Sequence, residues 1–340
     1  MNNNLCDTIL LSHGSGGRKS GELISGLFLK YFGNPVLNAL TDSSVLDITA
    51  NRIAFTTDSF VVEPLFFPGA DIGKLAICGT INDLASSGAK PIAISAAFIL
   101  EEGLDTQTLE RIVISMKKSA DEAGVCIVTG DTKVVPKGSA DKIFVTTSGI
   151  GVIENNSNIP APSKAEDGDV VILSGTIADH GMAVMIQREG IEFASAVKSD
   201  CAPLYDLVKS VMDVVPNIHC LRDPTRGGVA ATLNEIAQQS NVCIEIDEEA
   251  IPLNPSTNSV CELLGIDPLH VANEGKMIFI LPQKYAQQTL NILKNQNYGK
   301  EASIIGEVKA MPHGKVHLKT KFGSVRILDT PSGDILPRIC

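Results

Sequence analysis

Five aspartates share a placement that suits metal-ion binding. Each one follows or ends an apolar segment and stands beside small or turn-forming residues: Asp42, Asp58, Asp83, Asp131 and Asp223. Mg²⁺ is bound through one or two carboxylates together with substrate phosphates and waters. For any single aspartate, a helix cap or a turn is the commoner role. The joint pattern predicts a site where several carboxylates hold Mg²⁺ around a triphosphate.

Three glycine-rich clusters accompany the aspartates, at residues 12–19, 130–133 and 223–228. Glycine lets backbone amides approach a phosphate closely, and the third cluster opens a predicted helix whose N-terminus favours anions. Neither GxxxxGK[ST] nor GxGxxG at a strand-to-helix turn is present. A single glycine-rich loop is also typical of a flexible arm, so the clusters favour a phosphate site without fixing its type.

The last residue is a thiol, Cys340, with the cation of Arg338 two positions before it. Chain ends are normally the loosest part of a domain, so this thiol is expected to move. The neighbouring cation favours thiolate over thiol. An inert exposed cysteine is at least as common at such a position, and the rest of the chain must decide between the two roles.

Composition excludes several classes of function. The chain has 340 residues with a net charge of −11, which opposes the binding of nucleic acid by bulk charge. Its eight cysteines are too sparse for a disulfide scaffold, and Cys78, Cys126, Cys243 and Cys261 have apolar neighbours typical of reduced core residues. With no run of 18 apolar residues and no basic leader, the sequence predicts a cytoplasmic protein without a membrane span.

Strand and helix patterns alternate along the chain and indicate an α/β fold of two domains. A buried strand at 52–57 delivers Asp58 at its end, and a helix over 71–87 carries Asp83 near its end. Further strands are predicted at 92–100, 125–129, 143–150, 170–173, 242–246 and 277–281, and further helices from Thr106 and at 181–188, 203–214, 229–239 and 284–294. The predicted domains are 1–155 and 156–328, followed by a mobile tail over 329–340.

The glycine and aspartate segments together resemble the PurM-like ATP-dependent superfamily, which contains aminoimidazole ribonucleotide synthetase, selenophosphate synthetase and thiamine-monophosphate kinase. The matching segments span nearly the whole chain: 13–17, 57–58, 82–85, 130–133, 223–228 and 273–276. Within this superfamily, the ending at 337–340 is similar to the HypE family of hydrogenase maturation proteins. One departure is visible at 41–44, where the superfamily usually has paired acids.

The resemblance implies a PurM-like fold in which N-terminal domains pair into a dimeric β-barrel-like core and ATP lies between domains. It implies Mg²⁺ ligands at Asp42, Asp58, Asp83 and Asp223. It also implies a nucleotide site for which the matching residues are Gly14, Gly16, Gly17, Gly130, Asp131, Thr132, Asp223, Arg226 and Gly227. The implied homodimer receives a carbamoyl group from HypF and passes cyanide to HypC–HypD.

The implied reaction is an ATP-dependent dehydration of a carbamoyl group on Cys340 to a thiocyanate, which supplies the cyanide ligand of [NiFe]-hydrogenase. Glu274 as base and Lys133 as cation match the family's catalytic positions. Alternatively, Glu274 is an ordinary turn residue and Lys133 is a phosphate ligand. A selenophosphate synthetase or small-molecule kinase remains open, as does a non-enzymatic scaffold for metallocluster assembly. His13, His180 and His270 lack a second ligand at metal-binding spacing, so no zinc site is predicted.

Overall fold

The computed structural model describes most of the chain: residues 7–15, 18–40, 43–49, 52–154, 158–190, 197–330, 336 and 338–340. Up to residue 153 the elements are α1 (Arg18–Leu23), a π-helical turn (Ile24–Phe28), α2 (Leu29–Phe32), β1 (Arg52–Phe60), β2 (Phe66–Phe67), β3 (Ala70–Asp71), α3 (Ile72–Ser86), β4 (Lys90–Glu101), α4 (Thr106–Glu122), β5 (Cys126–Val135) and β6 (Ile143–Ile153). They build an α/β layer in which helices cover one face of a four-stranded sheet.

This N-terminal sheet has the strand order β1-β6-β4-β5. Strand β6 pairs antiparallel with β1 and β4, whereas β4 and β5 are parallel. In this register Asp58, Thr147, Ala96 and Gly130 stand in one row across the four strands. Because neighbouring strands lie about 4.8 Å apart, the backbones of Asp58 and Gly130 are separated by about 14 Å.

Helix α3 packs on β1 and β6 and begins at a side-chain cap. The carboxylate of Asp71 accepts hydrogen bonds from the backbone N–H groups of Gly73 (2.7 Å) and Lys74 (3.2 Å). These bonds satisfy two donors that a helix start leaves unpaired. After the helix, Gly88 takes a φ of +72°, which glycine adopts without strain. The cap and the stop together bring Asp83, in the last turn, alongside β1.

The opposite face of the N-terminal sheet exposes apolar side chains. Ile53 and Phe55 on β1 are 56% and 67% exposed, and Ile99 on β4 is 43% exposed. Their strands alternate regularly, so these residues all point away from the helix-covered face. A sheet face with several large exposed apolar residues is typical of an interaction surface.

The remaining elements form a second α/β layer. They are β7 (Asp169–Leu173), α5 (Asp179–Glu189), α6 (Tyr205–Met212), β8 (Cys220–Arg222), α7 (Gly228–Ser240), β9 (Cys243–Asp247), α8 (Pro255–Leu264), β10 (Ile278–Pro282), α9 (Ala286–Lys294), β11 (Ser303–Lys309), β12 (Lys315–Lys319) and β13 (Val325–Ile327). The seven-stranded sheet has the order β13-β12-β9-β11-β7-β10-β8. One apolar cluster packs α5, α7 and α8 against one face, and a second packs α6 and α9 against the other.

The predicted α/β class is confirmed, and most predicted elements are found within a few residues of their expected ends. Two local predictions are wrong at strand ends. Asp58 lies inside β1 and not at its end, and residues 130–133 continue β5 and do not form a loop. Gly130 permits this because a Cβ there would stand 2.3 Å from the carbonyl oxygen of Ala96 on β4.

Two further predictions need correction. Helix α4 is capped by Asp105, which accepts a bond from the backbone N–H of Thr108 at 2.7 Å, and not by Thr106. Cys126 is exposed, because it begins the edge strand β5, whereas Cys78, Cys243 and Cys261 are buried as expected. Among the described residues, no helix is both long enough and apolar enough to cross a membrane.

Candidate active site

Three of the predicted metal-binding carboxylates come together where the two layers meet. Asp58 is on β1, Asp83 is in the last turn of α3, and Asp223 follows β8. The hydroxyl of Thr56 donates to Asp83 at 2.6 Å. Burial and the adjacent Asp83 carboxylate raise the pKa of Asp58 to about 6. Burial, Asp83 and Asp58 raise the pKa of Asp223 to about 7.

Burial is the largest cause of both pKa shifts, and repulsion between the neighbouring carboxylates adds to it. The guanidinium of Arg226, which follows Asp223 in the same loop, counteracts the rise in the pKa of Asp58. Carboxylate oxygens that repel one another in a half-buried site are the donor set that a hard divalent cation neutralises. The residues present therefore fit Mg²⁺.

Glu274 is a fourth acid beside this cluster, and only 3% of it is exposed. Burial raises its pKa well above the usual range, and the nearby carboxylates of Asp223 and Asp200 raise it further. A raised pKa means that the Glu274 carboxylate binds a proton more strongly than an exposed glutamate does. The location of Glu274 next to the aspartate cluster supports a catalytic position over an ordinary turn.

The backbone around Glu274 is fixed from both layers. Its N–H donates to the carboxylate of Asp200 at 3.1 Å, and its carbonyl accepts from the side-chain amide of Asn82 at 3.2 Å. Asn82 also donates to the carbonyl of Ala202 (3.1 Å) and accepts from the N–H of Leu204 (2.8 Å). Asn82 directly precedes Asp83 on α3. Its bond to the carbonyl of Glu274 therefore ties the backbone of Glu274 to the helix that carries Asp83.

Sequence reasoning missed Asp200 and its partners. Burial works to raise the pKa of Asp200, but the ammonium of Lys276 together with the bond from Glu274 leaves that pKa below its usual value. The ammonium of Lys276 lies 3.1 Å from the Asp200 carboxylate, and both side chains are almost fully buried. Among the described residues, Lys276 is therefore a cation close to Glu274. Asp200 and Lys276 are 76 positions apart, and no sequence pattern around either residue predicts that they form an ion pair.

The end of the chain packs against the same region. The backbone N–H of Val61 donates to the carbonyl of Cys340 (3.2 Å), and that of Glu63 donates to the carbonyl of Arg338 (3.2 Å). Ile339 is 3% exposed and Cys340 is half-buried, in an apolar cluster that also contains Cys201 and residue 272. The terminal cysteine is thus held against the N-terminal layer, in the same apolar cluster as Cys201 and residue 272.

Side chains of α5 hold the tail from the other side. The imidazole Nε2 of His180 lies 3.0 Å from the carbonyl oxygen of Ile339, and Arg188 donates to the carbonyl of Arg338 at 2.8 Å. Arg338 itself donates through Nε to the carbonyl of Val61 at 3.0 Å and pairs with Asp141, whose pKa it lowers. These contacts define one docked position of the tail.

The predicted nucleotide residues of the N-terminal half line a separate cavity of about 240 Å³. Gly14 and residues 130–133 form its polar side, and apolar side chains of the segment 18–32 form the rest. Asp131 and Lys133 are paired at 3.0 Å, are both mostly exposed, and lie on the strand at the far edge of the sheet from Asp58. Within one chain, the described contacts of Lys133 do not include Glu274.

The other predicted residues divide between the third loop and the undescribed part. Asp223, Arg226 and Gly227 share the loop that leads into α7, where Gly227 takes a φ of +76°. Asp42, Gly16 and Gly17 lie outside the described residues. The structure therefore brings together Asp58, Asp83, Asp223 and Glu274, and places Gly14 and residues 130–133 in a second group.

Sequence comparison identifies both layers. The model of the N-terminal domain of AIR synthase related proteins matches residues 40–153, and that of the C-terminal domain matches residues 166–319. A protein of Bradyrhizobium diazoefficiens named carbamoyl dehydratase HypE is 50% identical over 331 residues, which cover 97% of this chain and 95% of that protein.

Solved structures agree with this assignment. A crystal structure of the hydrogenase maturation protein HypE in complex with ATP has a TM-score of 0.95 and 49% identity, covering 98% of this chain and all of that one. A HypE–HypF complex has a TM-score of 0.80 and 50% identity, covering 91% and 99% of the two chains. The chain therefore belongs to the HypE family of carbamoyl dehydratases, which is built from the two AIR-synthase-related domains.

Proposed function

We propose that this chain is an ATP-dependent carbamoyl dehydratase that converts a carbamoyl group on Cys340 into a thiocyanate for [NiFe]-hydrogenase maturation. The observation that carries the proposal is the docked position of the chain end. The carbonyl of Cys340 accepts from the N–H of Val61, just after the strand that carries Asp58, and the imidazole of His180 lies between the carbonyl of Ile339 and the hydroxyl of Ser199. Ser199 adjoins Asp200, whose carboxylate accepts from the N–H of Glu274, so these contacts link the thiol-bearing end to the loop of the buried acid.

The proposed chemistry uses ATP to turn a poor leaving group into a good one. The carboxamide oxygen of the S-carbamoyl group attacks the γ-phosphorus of ATP, and ADP leaves. The C–O bond then breaks with loss of phosphate, while both N–H protons are released, which leaves S–C≡N on Cys340. Glu274 is the proposed acceptor of a proton from the nitrogen, because it is a buried acid beside the aspartate cluster whose carboxylate binds a proton strongly.

Asp58, Asp83 and Asp223 are the proposed Mg²⁺ ligands, and Asp42 is the predicted fourth. The raised pKa values of Asp58 and Asp223, to which burial and the nearby Asp83 carboxylate contribute, support this assignment. Bound Mg²⁺ would neutralise charge on the transferring phosphoryl group. Arg226 supplies a fixed positive charge to the same cluster, and Gly227 leaves the backbone at the start of α7 open to an anion.

Gly14, Gly16, Gly17 and residues 130–133 are proposed to contact the nucleotide. The support is the cavity that Gly14 and residues 130–133 share with the apolar segment 18–32, which suits a base more than a phosphate. The cavity lies about 14 Å across the sheet from the aspartate cluster. Lys133 can act as the catalytic cation only if a bound nucleotide, or a second copy of the chain, brings it near the aspartate cluster. Within one chain, Lys276 is the alternative cation.

A homodimer through the N-terminal sheet is also part of the proposal. The exposed apolar face that carries Ile53, Phe55 and Ile99 supports it, since a second copy on that face would bury these side chains and close a barrel-like core. A charge introduced by Phe55→Glu is expected to give monomers in sedimentation experiments. Unchanged dimers in that variant would place the interface elsewhere.

The partners and location follow from the reaction. HypF is proposed to donate the carbamoyl group, in line with the solved HypE–HypF complex, and HypC–HypD is proposed to accept cyanide. A cytoplasmic location is proposed because the reaction consumes ATP. The domain limits at 155/156 and 328/329, and the mobility of the tail, also remain proposals.

Intact-mass measurement tests the function directly. With carbamoyl phosphate and HypF, we expect Cys340 to gain one carbamoyl group, and with MgATP that adduct should then lose the mass of one water. The Cys340→Ala variant should show neither change, and Cys126→Ser, which alters an exposed thiol elsewhere, should show both. A carbamoyl adduct that never loses water with MgATP would favour the scaffold role.

A further inference from the structure

Three metal-ligating side chains meet on the C-terminal sheet, far in the fold from the aspartate cluster. Cys243 and Glu245 are two residues apart on β9, so their side chains point to the same face. Strand β12 runs parallel beside β9, and its register sets His317 directly opposite Glu245. The pairing of two strands more than 70 residues apart in sequence thus gathers a thiol, a carboxylate and an imidazole.

The donor atoms are close enough to share one ion. One sulfur, one nitrogen and one oxygen of Cys243, Glu245 and His317 all lie within 4.8 Å of one another. The distance from Nδ1 of His317 to Oε1 of Glu245 is 3.8 Å. Ligands around a tetrahedral ion, with bonds of about 2.0–2.3 Å, stand about 3–4 Å apart. Small side-chain rotations therefore suffice to bring all three donors to an ion.

The chemistry of the set selects a borderline transition metal. Thiolate and imidazole ligands favour zinc and its neighbours in the first transition row, whereas Mg²⁺ and Ca²⁺ prefer oxygen ligands. A mixed set of one sulfur, one nitrogen and one oxygen is the kind that Zn²⁺ accepts with a fourth, non-protein ligand. This distinguishes the cluster from the all-carboxylate site of Asp58, Asp83 and Asp223.

The surroundings leave room for that fourth ligand. Ile244 and Ile246 of β9 point into the apolar cluster beneath α7, so Cys243 and Glu245 face the opposite side. The apolar cluster under α6 and α9 includes no described residue of β9 or β12. That part of the sheet borders instead a cavity of about 460 Å³, lined by Glu245 and His317. A metal ion held there is accessible to water.

Neighbouring charges do not compete for the three donors. Lys319 pairs with Asp247 at 3.0 Å, and Lys309 pairs with Glu307 at 2.6 Å, while Lys315, opposite Cys243 in the register, is exposed to solvent. Cys243 is fully buried but is absent from the apolar clusters, and His317 and Glu245 remain partly accessible. The sulfur of Cys243 is therefore shielded from solvent, whereas Glu245 and His317 face the cavity.

We propose that Cys243, Glu245 and His317 form a binding site for one divalent ion of the zinc class, with water as the remaining ligand. On binding, the S–H bond of Cys243 breaks, the proton goes to solvent, and a sulfur–metal bond forms. No oxidant or reductant is required. The sequence offered no such site because its ligands are spaced across strands and not along one motif.

Cobalt substitution tests the site with a readout that is independent of dehydratase activity. Reduced, metal-free full-length protein is titrated with Co²⁺ in excess Mg²⁺, and the thiolate-to-Co²⁺ charge-transfer absorption is followed. We expect one Co²⁺ per chain with this absorption, and its loss when Zn²⁺ is added. His317→Gln and Glu245→Gln should each weaken Co²⁺ binding by about tenfold or more, and Cys243→Ser should remove the absorption.

Control variants distinguish this site from other thiols and histidines. Cys126→Ser and Cys340→Ala alter accessible thiols outside the cluster, and His313→Gln alters an exposed imidazole that contacts the carbonyl of Asn241. All three should bind Co²⁺ as the unaltered chain does. If Cys243→Ser fails to fold, Co²⁺ binding by His317→Gln and Glu245→Gln decides whether the site exists. An absent absorption, or one that survives in His317→Gln with unchanged affinity, overturns the proposal.

Discussion

His180 donates its Nε2 proton to the carbonyl oxygen of Ile339, at 3.0 Å. A carbonyl can only accept, so the proton must be on Nε2, and Nδ1 then accepts from the hydroxyl of Ser199 at 2.9 Å. Full burial lowers the pKa of His180 and keeps the ring neutral, in the tautomer that this arrangement requires. One buried imidazole thus joins the tail to the loop that leads to Asp200.

Replacing His180 with phenylalanine should release the tail. Phenylalanine keeps the ring that packs edge-on against Phe67, with centroids 5.4 Å apart, but it cannot bond to Ile339. Loss of one such bond costs about 1 kcal/mol or more, so the undocked fraction should rise roughly fivefold or more. Alkylation of Cys340, followed by mass spectrometry of the C-terminal peptide, measures that fraction.

The matched control for the tail experiment is His313→Phe, which changes an exposed histidine with no contact to the tail. Its alkylation rate at Cys340 should equal that of the unaltered chain. An equal rate in His180→Phe would mean that the contact with Ile339 does not limit access to the thiol.

Glu274→Gln should stop cyanide formation and leave ATP binding intact. The side chain loses its ability to take a proton, and loss of a general base commonly reduces rates by about 10²–10⁴. The loop should keep its shape, because Asp200 and Asn82 hold it through backbone groups of Glu274. Glu262→Gln, on α8, is the control. Normal conversion of the carbamoyl adduct in Glu274→Gln rejects the role as base.

Stability without metal should fall as pH rises from about 4 to 7. The folded pKa values of about 6 for Asp58 and about 7 for Asp223 exceed the ordinary value of 3.8, so the folded state binds more protons than the unfolded state across this window. Unfolding free energy then decreases with pH. Thermal midpoints at pH 5 and 7.5, with and without Mg²⁺, measure the effect.

Mg²⁺ should reverse this trend, because it replaces the protons that the carboxylates otherwise hold. Its apparent affinity should rise about tenfold per pH unit for each proton displaced. The stabilisation by Mg²⁺ is therefore expected to be larger at pH 7.5 than at pH 5, and smaller at both in Asp58→Asn. Equal stabilisation at both pH values would separate Mg²⁺ binding from these two carboxylates.

The meeting of Asp58 with Asp83 follows from features that a sequence displays. A strand and a helix that follow one another closely in the chain normally pack together, so an acid on the helix-facing side of the strand can become the neighbour of an acid on the helix. The contact between His180 and Ile339 has no such local signal. It joins residues that are 159 positions apart. The contact forms only when the tail packs between α5 and the segment after β1.

The strand across residues 130–133 illustrates a second limit. Glycine followed by a polar run predicts a turn, yet β5 continues through it because β4 offers a full ladder of hydrogen-bonding partners. The tertiary pairing overrides local propensity there. For the same reason the gathering of Cys243, Glu245 and His317 was not predictable, since a parallel register between distant strands leaves no fixed spacing to recognise.

Asn82→Ala should destabilise the fold by about 3 kcal/mol. The side chain is 1% exposed and links α3 to Ala202, Leu204 and Glu274. Its removal leaves buried carbonyl and N–H groups without these partners, at about 1–3 kcal/mol for an unsatisfied buried group. Urea unfolding measures the change. Asn258→Ala, which removes a bond on an exposed helix surface, should stay within about 0.5 kcal/mol of the unaltered chain.

Two glycine-to-alanine changes should have opposite signs. At Gly275, a Cβ would stand 1.8 Å from the carbonyl oxygen of Asp200, so the loop that carries Glu274 must shift. We expect Gly275→Ala to cost about 1–3 kcal/mol in urea unfolding and to slow cyanide formation. At Gly21, in α1, no atom lies within 4 Å of a new Cβ, and alanine should add about 0.5–1 kcal/mol. Equal effects at both positions would contradict the close packing of Asp200 on the loop that carries Glu274.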